Sequence, residues 1–186
     1  MTRVLLATGN AHKVEEVQHI LGPDVEVVGR DTGVEETGAT FEENALIKAR
    51  ALAATARELA VADDSGIEID HLDGAPGIHS ARWTDEGDWI PRVLRELDGV
   101  APADRTCRYV CAAAAVWPDG REEVVRGTVE GRITDAPRGS GGFGYDPIMQ
   151  PVEGDGRTFA EMTPDEKHAI SHRARAFRLL WSTAVD

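Results

Sequence analysis

Short apolar runs and helical stripes alternate along the chain. Arg3 to Ala7 is an apolar run of strand length. After a Thr8-Gly9-Asn10 turn, Val14, Val17 and Leu21 recur at helical spacing over Ala11 to Leu21, with Asn10 placed as N-cap. Val25 to Val28 predicts a second short strand, and the glycine-rich, acidic stretch 29–39 a loop. Phe41, Ala45, Ala49, Leu52, Ala53 and Ala56 form the inward stripe of a helix running to about Arg57. Thr40 and Glu43 have the form of its capping box. Leu59 to Ala62 reads as the end of a buried strand, stopped by Asp63 and Asp64, with Ile67 to Ile69 a separate short strand.

Gly74-Ala75-Pro76-Gly77 marks a turn and Asp88 to Leu97 a helix. Arg105 to Trp117 is the longest strand predicted, and Glu122 to Ile133 returns from the Pro118-Asp119-Gly120 hairpin turn. A final helix starts with Thr163 as N-cap, Pro164 in its first turn and Glu166 closing a capping box. Its stripe is Ile170, Ala174, Phe177 and Trp181. Strands interleaved with helices define an α/β protein.

With 186 residues and 41% hydrophobic content, one domain with a full core is expected. The apolar part of the N-terminus is too short for a signal peptide, and no run approaches the ~18 apolar residues of a membrane span. Cys107 and Cys111 lie four apart on one predicted strand, too far to bridge, and are expected as reduced core thiols of a cytoplasmic protein. The net charge of -13 argues against nucleic acid as a partner. It also requires any phosphate ligand to find local cations or a metal ion.

Four stretches carry candidate chemistry. Strand, glycine turn and capped helix start at Thr8 to Lys13 form a potential phosphate cradle, although the P-loop pattern is absent. Lys13 stands in the first helical turn, where the dipole disfavours a cation unless an anion docks beside it. The alternative is a solvated lysine next to an ordinary cap. Asp63 and Asp64 are carboxylates suited to holding Mg²⁺ with waters still on it, or an Asx turn with Gly66 as the bend. Should the strand persist through them, they face opposite ways and only one need be a ligand.

Gly139 to Gly144 satisfies G-x-G-x-x-G literally, but Pro147 discourages the helix a dinucleotide fingerprint needs, and that reading is rejected. What remains is an aromatic loop in which Phe143 could stack on a flat ligand and Asp146 could bond its edge. On the last helix, Lys167 and Ser171 share a face while His172 and Arg173 fan out by about 100° per residue. Lys48 shares a face with Asn44 and is a loose phosphate candidate.

Together these stretches resemble the inosine triphosphate pyrophosphatase family over nearly the whole chain. The resemblance rests on Thr8-Gly9-Asn10-Ala11-His12-Lys13, Thr40 to Ala45, Ala62-Asp63-Asp64-Ser65-Gly66, Gly142 to Pro147, and Ser171-His172-Arg173 preceded by Lys167. Gly74 to Gly77 with Ser80-Ala81-Arg82 adds to it.

The resemblance implies a long mixed sheet flanked by helices, with two lobes around a central nucleotide cleft. It implies Mg²⁺-dependent hydrolysis of ITP, dITP and XTP to the monophosphate and pyrophosphate, in a cytoplasmic homodimer. It would make Thr8, Gly9, Asn10, Ala11, His12 and Lys13 the triphosphate site, and Glu43 and Asp64 the Mg²⁺ ligands. Asp64 would also be the proton acceptor for the attacking water, and Ser65 would touch substrate. Phe143 would stack on the base, Gly144 and Tyr145 would touch substrate, and Asp146, Lys167, His172 and Arg173 would read the base edge. His168 departs from the family pattern, which often has Asn. A module that senses purine triphosphates without cleaving them, or a phosphatase releasing orthophosphate, are the competing functions.

Overall fold

The computed structural model describes residues 2–84, 87 and 89–184. Its strands are β1 (Thr2–Leu6), β2 (Val25–Gly29), β3 (Ala60–Ile69), β4 (Thr106–Val116), β5 (Glu122–Ile133) and β6 (Met149–Pro151). The α-helices are α1 (Ala11–Leu21), α2 (Phe41–Ala56), α3 (Trp89–Glu96), α4 (Pro164–Ile170) and α5 (His172–Ala184). The strands form one sheet in the order β2-β1-β3-β4-β5-β6. β1 runs parallel to β2 and β3, and β5 antiparallel to β6, so the sheet is mixed as expected.

Three expectations are corrected. β3 does not stop at the two aspartates but runs unbroken from Ala60 to Ile69 with both of them buried inside it. The final helix is two helices, because Ser171 takes an extended conformation (φ -66°, ψ 151°) and turns the chain between α4 and α5. The box at α2 is offset by one residue. Thr40 Oγ1 accepts the Glu43 N–H at 3.1 Å, but Glu43 Oε2 accepts from Ala39 N–H at 2.6 Å, not from Thr40. Asp88, expected to open α3, lies outside the described residues. The short β6 carried no recognisable signal.

The chain divides into two compact units. The first comprises Met1–Asp64, Cys111–Gly127 and His172–Asp186, the second Ser65–Val110 and Thr128–Ser171. In the first unit Val4, Leu6, Val17, Val27, Val61, Cys111, Phe177 and Leu180 share one core. Val4, Leu5 and Leu6 are buried in succession, the pattern of a strand covered on both faces. In the second unit Ile67, Ile69, Val93, Leu97, Tyr109, Ile148 and Phe159 form another. Both cysteines are free and buried, and burial pushes both thiols well above their usual range, as core residues rather than nucleophiles. Among the described residues no helix is long and apolar enough to cross a membrane.

Candidate active site

In the first unit α1 begins as the sequence predicts. Asn10 Oδ1 accepts the N–H groups of His12 (3.0 Å) and Lys13 (3.4 Å), and Thr8 Oγ1 accepts that of Asn10 (3.1 Å). The cap therefore engages two N–H groups that an anion at this helix start would use. Gly9, Asn10, Ala11 and His12 are exposed, and His12 lies 3.9 Å from Glu15. Lys13 turns away from solvent and donates to Asp63 Oδ2 at 3.0 Å.

Asp63 and Asp64 face different partners, as adjacent residues of a continuous strand must. Asp63 Oδ2 also accepts from Arg173 Nε (3.4 Å) and Nη2 (3.3 Å), while Arg173 Nη1 donates to Glu16 Oε2. Lys13 and Glu16, one turn apart on α1, are thus both tied to the Asp63–Arg173 pair. Burial alone would raise the Asp63 carboxyl, but Lys13, Arg173 and Lys48 more than offset it and hold it well below the usual carboxylate range.

Asp64 is held differently. Its Oδ2 accepts from Asn44 Nδ2 at 3.1 Å, and its Oδ1 lies 3.8 Å from Lys48 Nζ, which in turn sits 2.7 Å from Glu36. Burial raises its proton affinity, and Glu36 adds to this against the opposing pull of Lys48. Burial opposes the charge of Lys48, but Asp63, Asp64 and Glu36 keep it an ammonium. Two neighbouring carboxylates are therefore driven apart in basicity, with Asp63 a fixed counter-ion and Asp64 the more basic group.

Asn44 is the residue that builds this second site. Its Oδ1 accepts the Gly38 N–H at 2.8 Å while its amide holds Asp64, which fastens the 29–39 loop over the start of α2. A Cβ at Gly38 would stand 2.7 Å from both Asn44 Oδ1 and the Glu43 Cβ, so only glycine allows that approach. Asn44 and Lys48 lie at i and i+4 on α2, the shared face the sequence predicts, and Lys48 is turned to Glu36 and Asp64.

The second unit holds the aromatic loop. Residues 144–148 form turns and lead into β6, with none of the helix that the rejected dinucleotide fingerprint would require. Asp146 is buried. Its Oδ2 accepts from Lys167 Nζ (2.7 Å) and Phe143 N–H (2.9 Å), and its Oδ1 from the Tyr109 hydroxyl (3.1 Å). Lys167 Nζ also lies 5.0 Å from the centroid of the half-buried Phe143 ring. Gly142 has a φ of 66°, and a Cβ there would strike Asp146 Oδ2 at 2.0 Å. The Tyr145 hydroxyl donates to Ser80 O at 2.8 Å and its ring stacks on Trp89. Gly144 and Ser65 are half-buried in this unit.

The expected residues thus fall into two groups. Thr8 to Lys13, Glu43, Asp64, His172 and Arg173 belong to the first unit, and Ser65, Phe143 to Asp146 and Lys167 to the second. Arg173, expected at a base edge, is fully buried between Glu16 and Asp63. Glu16 and Tyr109 were not singled out from the sequence, and Asn44 was named there only as sharing a face with Lys48.

The fold defines the class. The Staphylococcus aureus Ham1 protein superposes with a TM-score of 0.84 at 38% identity over 98% of this chain and 97% of its own. A Coxiella burnetii HAM1 protein gives the same TM-score at 36% identity, covering 100% of this chain and 99% of its own. The sequence profile of the Ham1 family matches residues 4–183, and the chain belongs to that family. A Streptomyces coelicolor relative named dITP/XTP pyrophosphatase is 50% identical over 97% of this chain and 96% of its own. One of the same name from Symbiobacterium thermophilum is 53% identical over 94% and 90%.

Proposed function

We propose that this chain is a nucleoside triphosphate pyrophosphatase that hydrolyses dITP, ITP and XTP to the monophosphate and pyrophosphate. The observation that carries the reading is the match of 50% identity, over nearly the full length of both chains, to a relative named dITP/XTP pyrophosphatase. The geometry supports it. The start of α1 offers the positive end of a helix dipole to a triphosphate, towards which Lys13 would exchange its Asp63 contact for a phosphate oxygen, and Asp64 is the more basic of the two carboxylates on β3. Asp64 accepts the proton of the attacking water, and Asp63 does not, because its charge is already committed to Lys13 and Arg173.

A divalent cation fits the donors. Glu43 and Asp64 offer hard carboxylate oxygens on neighbouring elements, and burial leaves the Asp64 charge costly unless a cation offsets it. Among the described residues no three His, Cys, Asp or Glu groups converge. Mg²⁺ keeps waters and takes further ligands from substrate phosphates, so it does not need an all-protein cage. Bound there, Mg²⁺ would neutralise charge on the phosphates. Glu43→Gln should weaken the Mg²⁺ dependence of turnover several-fold yet leave thermal stability nearly unchanged, since a glutamine oxygen still accepts the Ala39 N–H. Unfolding with Mg²⁺ affinity intact would make Glu43 a cap alone.

The base falls to Phe143, Asp146 and Lys167. An ammonium only donates, so Lys167 matches the 6-oxo group of inosine and xanthosine and opposes the 6-amino group of adenosine. Lys167→Ala should lower kcat/KM for ITP much more than for ATP. Equal proportional losses would assign Lys167 to the phosphates or the fold. We further propose a cytoplasmic homodimer, tested by light scattering at micromolar concentration.

The deciding experiment is incubation with Mg²⁺ and ITP followed by phosphorus NMR. IMP with pyrophosphate is expected. Accumulation of IDP with orthophosphate would overturn the reaction, and binding without turnover would make the chain a sensor.

A further inference from the structure

Asp146 closes a buried network that starts on β4. The Tyr109 hydroxyl donates to its Oδ1, and the Tyr109 ring stacks on Phe159 with centroids 5.8 Å apart and planes at 27°. Both partners are buried, at 5% and 3% exposure. The other carboxylate oxygen takes Lys167 and the Phe143 N–H. One carboxylate thus orients the aromatic ring, the ammonium and the loop between them, and Tyr109 holds that carboxylate from behind.

Resting on the base site proposed above, we infer that Tyr109 is a positioning residue for purine selection. Its hydroxyl engages Asp146 Oδ1 and so fixes the plane of the carboxylate, whose other oxygen is taken by Lys167 and the Phe143 N–H; the group this places beside the Phe143 ring is the Lys167 ammonium, a donor. Burial, and then the Asp146 charge, raise the proton affinity of this phenol well above the ordinary value, so it remains a donor at any working pH. Without that hydroxyl the Asp146 carboxylate is released to turn about its Cβ–Cγ bond and bring the oxygen that faced Tyr109 toward the base. An acceptor there suits the 6-amino group of adenine or the 2-amino group of guanine, which the intact network leaves unmatched. Tyr109 therefore sharpens rejection of the amino purines without touching them.

Tyr109→Phe tests this, because the ring still packs on Phe159 and only the donor is lost. Binding of IMP, AMP and GMP is measured by calorimetry without metal, alongside kcat and KM for ITP, ATP and GTP. The affinity ratios of IMP over AMP and of IMP over GMP should each fall about ten-fold, the scale of one hydrogen bond to a charged group. The gain should appear in KM for the amino purines, with kcat for ITP within about two-fold of wild type. Unchanged ratios, or equal losses for every nucleotide, would overturn the inference while leaving the functional reading intact. A wild-type protein that binds no purine nucleotide and hydrolyses none would overturn both. Should Tyr109→Phe not fold, 3-fluorotyrosine at this position retains the ring and donates more strongly. It should widen the ratios, and constant ratios would again refute the role.

Discussion

Asp64→Asn should lower ITP turnover by about a thousand-fold while the protein stays folded. A general base contributes roughly 10²–10⁴ in rate, and here the same group is also a proposed cation ligand, so the loss lies well inside that range rather than at its lower end. The fold survives for a stated reason. An asparagine oxygen still accepts the Asn44 amide, now at 3.1 Å from Asp64 Oδ2, and the substitution removes a charge that burial makes unfavourable. Steady-state kinetics with ITP and a circular dichroism melt decide the matter together. Retained turnover would remove Asp64 from the chemistry, and an unfolded variant would make its role structural.

The opposite pattern is expected one residue earlier. Asp63→Ala should destabilise the protein by about 3–5 kcal/mol, because it strands Lys13 and the buried Arg173 without their shared counter-ion. The pH dependence follows from the direction of the shift. A carboxyl held below its ordinary value of 3.8 contributes stability that is fully present above that value and is lost as pH falls through the depressed one. Wild type should therefore keep this contribution down to about pH 4, and the gap to the variant should narrow only in stronger acid. Urea unfolding from pH 7 to pH 3 measures both. A difference under about 1 kcal/mol at pH 7 would mean the cluster merely breaks even.

These two aspartates also mark where sequence reasoning succeeds and where it stops. Helix starts at Asn10, Thr40 and Thr163 were legible because each cap is a local hydrogen bond within three residues. The 118–120 hairpin was legible for the same reason. The path of β3 was not. Two carboxylates, a hydroxyl and a glycine in a row ordinarily end a strand, and what sustains them here comes from Lys13 and Arg173, 50 and 110 positions away. Periodicity contains no information about partners at that range. The break at Ser171 was hidden because neither proline nor glycine announces it. The site motifs were visible as residue types, but the separate duties of Asp63 and Asp64 emerged only from their neighbours.

The Arg173 clamp bears on the order in which this protein can acquire its structure during synthesis. The second unit has all its segments once Ser171 is made, but the first is assembled from three separated stretches and needs α5. Until that helix emerges, Asp63 and Glu16 lack the guanidinium they share, and Lys13, bonded to Asp63, is left to offset both carboxylates. Domains generally fold as units from the N-terminus, yet this one has its N-terminal strand waiting on residue 173. Such long-range closure slows folding. On a translating ribosome, the half of the chain that begins first is therefore the half that finishes last.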